Sequence, residues 1–172
     1  LNISVASKSP IGGGNLGILV SMKSLHLNNI NLENQEMSIL KIENWNRWSS
    51  KVIAHKNKLN QLVESNERDV WIGFGASARG CTLIKFSGLN RIRLIGDNNS
   101  LKHNKFLPNS EIKVMDLNSV LDINPTKILA LAWNFLDELK NQLDNHGFKG
   151  QILVPFPTIR TLTDRKSTRL NS

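Results

Sequence analysis

The sequence holds one cysteine, Cys81, and no tyrosine. A lone thiol excludes an intrachain disulfide, so the fold must rest on its apolar core, as in proteins of a reducing compartment. His26, His55, His103 and His146 fall at no metal-ligand spacing, and none stands beside a carboxylate cluster, which leaves no sequence case for a metal site. No apolar run approaches the roughly 20 residues that cross a bilayer, and the opening LNISVASKSP has neither the basic nor the apolar region of a signal peptide. A cytoplasmic protein without a membrane partner is therefore expected. Aromatic residues make up 6 % of the chain and sit inside apolar strings, not interleaved with basic residues, which argues against nucleic acid as a partner. The net charge of +8 is diffuse: residues 1–65 carry 7 basic and 4 acidic groups, residues 66–163 carry 12 and 9. Such a surface suits an anionic small molecule. No Ser/His/Asp or Cys/His pairing has a supporting spacing, so no catalytic residue is expected; the chain offers a place to bind and no reacting machinery.

What is present is a hydrophobic content of 40 %, enough for one domain of ordinary size. Residues 3–6 and 16–22 read as two strands joined through Pro10 and Gly12–Gly14, and residues 1–24 are expected to be terminal strands of a truncated upstream domain. In residues 25–65, apolar positions including Met37, Leu40, Trp45, Trp48, Val52, Leu59 and Val63 recur at three- and four-residue intervals. That period predicts an amphipathic bridging helix, with a break, whose stripe is packing surface. Residues 66–163 alternate strand and helix: strands at 69–74, 92–95, 112–115, 127–133 and 151–156, helices at 77–87, 117–121 and 136–145. Strands apolar on both faces and separated by helices predict an α/β, Rossmann-like, mostly parallel sheet with helices on both faces. Residues 164–172, DRKSTRLNS, equal the translation of a common sequencing-adaptor read and are expected to be an artefact. Without their three basic groups and one acid the net charge is +6.

Binding is expected at Gly73-Phe74-Gly75-Ala76-Ser77-Ala78-Arg79-Gly80, directly after a strand and opening a helix. Glycine lets such a turn approach a ligand, and free N–H groups at a helix start favour phosphate. Four residues separate Gly75 from Gly80, where the dinucleotide fingerprint has two, and a tight turn without a ligand would use the same glycines. Asp97 stands 22 residues beyond Gly75, after the second strand, where an acid can bind ribose hydroxyls or simply begin a turn. Lys102 and Lys105 follow in an Asn-rich loop and could neutralise a pyrophosphate or, as loop lysines more commonly do, stay solvated. Asn134 leaves the KILALAW string at the carboxyl edge of the sheet and also suits a helix N-cap. Thr158 and Arg160 leave the last strand at the same edge.

These segments resemble the C-terminal domain of S-adenosylmethionine-dependent sugar C-methyltransferases. GFGASARGCTLIKFSGL is similar to the family's GYGASAKGNTLLNYCGL-type segment, and DNNSLKHNKFLPNSEIKV to its D-x-N-P-x-K-x-G-x-x-x-P-G-x-x-I-P-V loop. ILALAWNFLDEL, GQILVPFPTIRTL and GGGNLGILVSM follow further family strings in order. The resemblance implies a parent enzyme with zinc in an N-terminal region and S-adenosylmethionine with catalytic residues in a central domain, all outside this chain. It implies that this part packs on the central methyltransferase domain and helps bind a nucleotide-sugar, with Gly75, Ala76, Ser77, Arg79 and Gly80 near its phosphates and Asp97, Lys102 and Asn134 completing the site. Cys81 stands where the family has Asn, Ser100 where it has Pro, and Asn104 and Asn109 where it has Gly. Asn tolerates left-handed backbone, so those loop turns are expected to survive, whereas Cys81 removes an amide donor. A stand-alone dinucleotide-binding (NAD-type) module is the alternative, and a purely structural domain a third reading.

Overall fold

The computed structural model describes residues 2–9 and 15–21 as backbone and residues 41–162 in full; the 164–172 segment lies outside the described residues. The chain divides into two compact units, residues 1–51 and 52–172. In the first, β1 (Asn2–Ser9) and β2 (Asn15–Ser21) pair antiparallel from Asn2 opposite Ser21 to Ser9 opposite Asn15, with an irregularity between Ile3 and Val5. They form a two-stranded sheet of their own.

The boundary between the units falls inside helix α1 (Ile42–Glu64), which is continuous over 23 residues; the expected break is not found among the described residues. Of its apolar stripe, Leu59 and Val63 are buried, while Ile42, Trp45, Trp48, Ile53 and Leu62 are exposed. Met37 and Leu40 lie outside the described residues, and among the described ones the stripe packs into the core at Leu59 and Val63. There Asn60 Nδ2 donates to the carbonyls of Ser87 and Gly88, both at 3.0 Å, and Glu64 Oε1 accepts from the N–H groups of Asn90 and Arg91.

The α/β unit continues through β3 (Trp71–Phe74), α2 (Ala78–Ser87), β4 (Leu94–Gly96), β5 (Lys113–Met115), α3 (Leu117–Leu121), β6 (Lys127–Ala130), α4 (Leu136–Asn145), β7 (Gln151–Val154) and β8 (Arg160–Leu162). The sheet order is β5-β4-β3-β6-β7-β8, parallel throughout except for β8. This is the doubly wound order, in which the chain reverses direction across the sheet between β3 and β6 and opens a crevice at their carboxyl ends. Side chains alternate between two cores as the strand period requires. Trp71, Leu129, Leu131 and Leu153 pack with Leu59, Val63, Leu83 and Ile84 on one face. Ile72, Phe74, Ile128, Ala130, Ile152 and Val154 pack with Leu117, Val120, Leu139 and Leu143 on the other.

Strand ends differ from the sequence expectation for local reasons. The KILALAW string stops pairing at Ala130: the Leu131 N–H makes the last rung to the Phe74 carbonyl at 2.9 Å, and the Ala132 N–H turns back to that same carbonyl at 3.1 Å. The last parallel strand stops at Val154, since Pro155 has no N–H to continue a ladder. The reversed edge strand β8 was not expected; its three residues, two of them exposed, carry no apolar pattern.

Candidate functional site

The carboxyl edge is organised by the turn between β3 and α2. Gly75 adopts φ +91, and a Cβ there would lie 2.3 Å from the Ala132 Cβ, so the close approach of the β3 and β6 ends requires glycine. Its N–H donates to the Gly96 carbonyl at 2.8 Å. Ser77 is the extended N-cap of α2, its Oγ accepting from Gly80 N–H at 3.1 Å, while its own N–H donates to the Gly75 carbonyl. Gly80 packs the helix onto β6: a Cβ would come within 2.9 Å of Leu131 Cβ. The N–H groups of Ala78 and Arg79 fall in the first turn, where no intrahelical carbonyl can reach them. The Arg79 side chain is exposed, with its guanidinium 5.2 Å from the centre of the Trp133 ring.

Asp97 follows β4 directly and is 6 % exposed. Its Oδ2 accepts from Ala76 N–H at 2.7 Å and from Lys102 Nζ at 2.9 Å; its Oδ1 accepts from Asn99 N–H at 2.8 Å. His103 Nε2 meets its backbone carbonyl at 2.7 Å. Burial disfavours the charged carboxylate, but the Lys102 ammonium and the N–H groups of Asn99 and Ala76 outweigh it and hold Asp97 below the ordinary carboxyl range. Asp97 and Lys102, both expected to face a ligand, are thus joined to each other and to the glycine turn.

Asn134 lies in a short 3-10 turn (Trp133–Phe135) after β6, exposed at the same edge. It is not the N-cap of α4: Phe135 holds that position without a side-chain bond, and the 3-10 turn feeds straight into the helix. Thr158 is exposed beyond β7, and Arg160 lies exposed in the edge strand β8.

Three aromatic residues at this edge gave no sequence signal as a group. Trp133 meets Phe156 at 4.8 Å between ring centres, and Phe156 stacks on His55 of α1 at 4.6 Å with planes 13° apart. His55 Nε2 is buried without a partner; burial, and then the charge of Lys58, lower its pKa and favour the neutral ring on Phe156. Trp133 and Phe156 were legible only as members of apolar strings, because the crossing that brings them together is set by topology. Cys81 is half-buried against the same core, and burial raises its thiol pKa. Among the described residues no group of three His, Cys, Asp or Glu side chains could hold a metal ion, and no helix is long and apolar enough to cross a membrane.

Compared with known families, residues 10–157 match the model of the C-methyltransferase C-terminal domain. The chain belongs to that family. The match takes in β2, the whole of α1 and every element from β3 to β7, so the glycine turn, the Asp97 loop and the Trp133 turn are all parts of this family domain. Among curated proteins the chain is similar to C-methyltransferase NovU of Streptomyces niveus, 33 % identical over 97 residues. That stretch covers 53 % of this chain and 22 % of NovU, so the chain spans a minor part of its relative's length.

Proposed function

We propose that this C-methyltransferase C-terminal domain binds the nucleotide part of a nucleotide-sugar and serves as a scaffold for the methyltransferase domain of an S-adenosylmethionine-dependent enzyme acting on a deoxysugar or related substrate. The observation that carries the reading is the position of Arg79. It stands in the first turn of α2, at the carboxyl end of β3, exposed, with its guanidinium 5.2 Å from the centre of the Trp133 ring in the turn that follows β6. A guanidinium offers paired donors to phosphate oxygens, and the helix start adds a favourable dipole. Gly75, Ala76, Ser77 and Gly80 shape the turn that leads into this part of the helix.

In this reading the methyl donor is held elsewhere in the parent protein. The described residues supply one glycine-rich strand-to-helix turn, and both its inner N–H and the acid that would accept from ribose are already bonded to each other. They do not fit S-adenosylmethionine, and no transfer step is assigned to them. A stand-alone dinucleotide module is the second reading; the strand order favours it, and the same Ala76–Asp97 bond counts against it.

Calorimetric titration of TDP into the wild-type chain and Arg79→Ala tests the proposal. A charge-assisted contact is worth about 1.5 to 3 kcal/mol, so the dissociation constant should rise about ten- to a hundredfold with the melting temperature unchanged. Equal affinities at equal melting temperatures would remove Arg79 from the site.

A further inference from the structure

Buried carboxylates are costly unless fully partnered, and Asp97 has its partners within its own edge of the sheet. Two features make this more than a structural ion pair. Ala76 N–H is the inner donor of the glycine turn, the group that a pyrophosphate would seek in a doubly wound fold. Lys102 is a loop cation whose ammonium meets the same oxygen, Oδ2, as that donor. The place expected for a ligand phosphate therefore already holds an anion belonging to the protein.

The geometry points to Asp97 as a specificity-determining residue: an internal counter-ion that fills the inner half of the glycine turn, keeps Lys102 to itself and so excludes dinucleotides and any other ligand that must set a phosphate on Ala76 N–H. A phosphate brought to that donor would displace the Asp97 carboxylate or lie against it, and like charges at contact distance repel strongly where water is scarce. The carboxylate, turned inward, is also withheld from ribose hydroxyls. Ligand anions are left to Arg79, outside the turn. The inference rests on the reading above only in taking the ligand to be anionic.

Two measurements test it. Amide spectra of the full wild-type chain are recorded with NAD and, separately, with TDP to millimolar concentration. The Ala76 and Asn99 amides should hold their positions with both, while TDP moves the Ala78 and Arg79 amides. A saturable shift of the Ala76 amide as large as those of Ala78 and Arg79 overturns the inference. Should neither ligand move any amide, the closure of the turn stands and the nucleotide-sugar reading falls. In the second measurement, inorganic phosphate is titrated into wild type, Asp97→Asn and Asp97→Asn/Lys102→Met. Asp97→Asn should bind phosphate about tenfold more tightly, by freeing Lys102 and removing a negative charge, and the double variant should lose that gain. Phosphate affinity unchanged in a folded Asp97→Asn overturns the inference; if that variant does not fold, the wild-type spectra decide.

Discussion

At the carboxyl ends of β3 and β4, polar groups are bonded to one another: Gly75 to Gly96, Ala76 to Asp97, Asp97 to Lys102, Ser77 to Gly80. At the carboxyl ends of β6 and β7, a few residues away across the same sheet, Asn134 and Phe135 are exposed and the contacts are ring on ring, Trp133 with Phe156 and Phe156 with His55. A glycine-rich turn in the right place is therefore not by itself evidence of a ligand site. Here the turn is bonded to its own acid, and in the reading proposed above the surface left for a partner lies on Arg79 and the open side. Substitutions on the bonded side should cost stability, and those on the open side should not.

Gly75→Ala disrupts the turn most severely, since a methyl group at φ +91 meets Ala132 Cβ. Strain and overpacking together should destabilise the chain by about 3 kcal/mol or more, read as a lowered urea midpoint. Asp97→Asn should cost about 2 kcal/mol at neutral pH through lost charge-assisted bonds. Its pH dependence gives a sharper signature. Asp97 is held below the ordinary carboxyl range, so its contribution is fully present above the unfolded value of about 3.9 and is lost as pH falls through the folded value. Wild type should lose stability below about pH 4 more steeply than Asp97→Asn, and parallel curves would contradict the assignment.

Asn60→Ala removes the two bonds that tie α1 to the end of α2 and should cost about 1 to 2 kcal/mol, with the loss confined to the urea midpoint and absent from ligand affinity. Asn134→Ala is the smallest, within about 0.5 kcal/mol of wild type, because its side chain is exposed. A large loss there would mean that the open side is also structural.

The sequence made the α/β alternation legible because each strand is apolar on both faces and each helix has a readable start or stop. Leu136–Asn145 and Leu117–Leu121 occur as expected, and α2 starts one residue late because Ser77 serves as its cap. Residues 69–70 and 92–93 were read as the starts of apolar strands, yet Val70 N–H goes to the Thr126 hydroxyl before pairing begins. The residue types of the candidate site were legible too, but their partners were not. Asp97 and Ala76 are 21 positions apart, and nothing in spacing says whether an acid after the second strand turns outward to a sugar or inward to the turn. That choice is made by the approach of β3 to β4 and by Lys102 closing over the pair. The Trp133–Phe156–His55 contacts lie further still from local pattern, since they join the ends of two strands and a helix that precedes them both.

The decisive measurement is a crystal structure of the chain soaked with TDP. Diphosphate density is expected at Arg79, beside the first turn of α2, with the Ala76–Asp97 bond intact. Density instead in the hollow of about 380 Å³ lined by Lys85, Arg93 and Asn109, near the amino ends of β4 and β5, would contradict it.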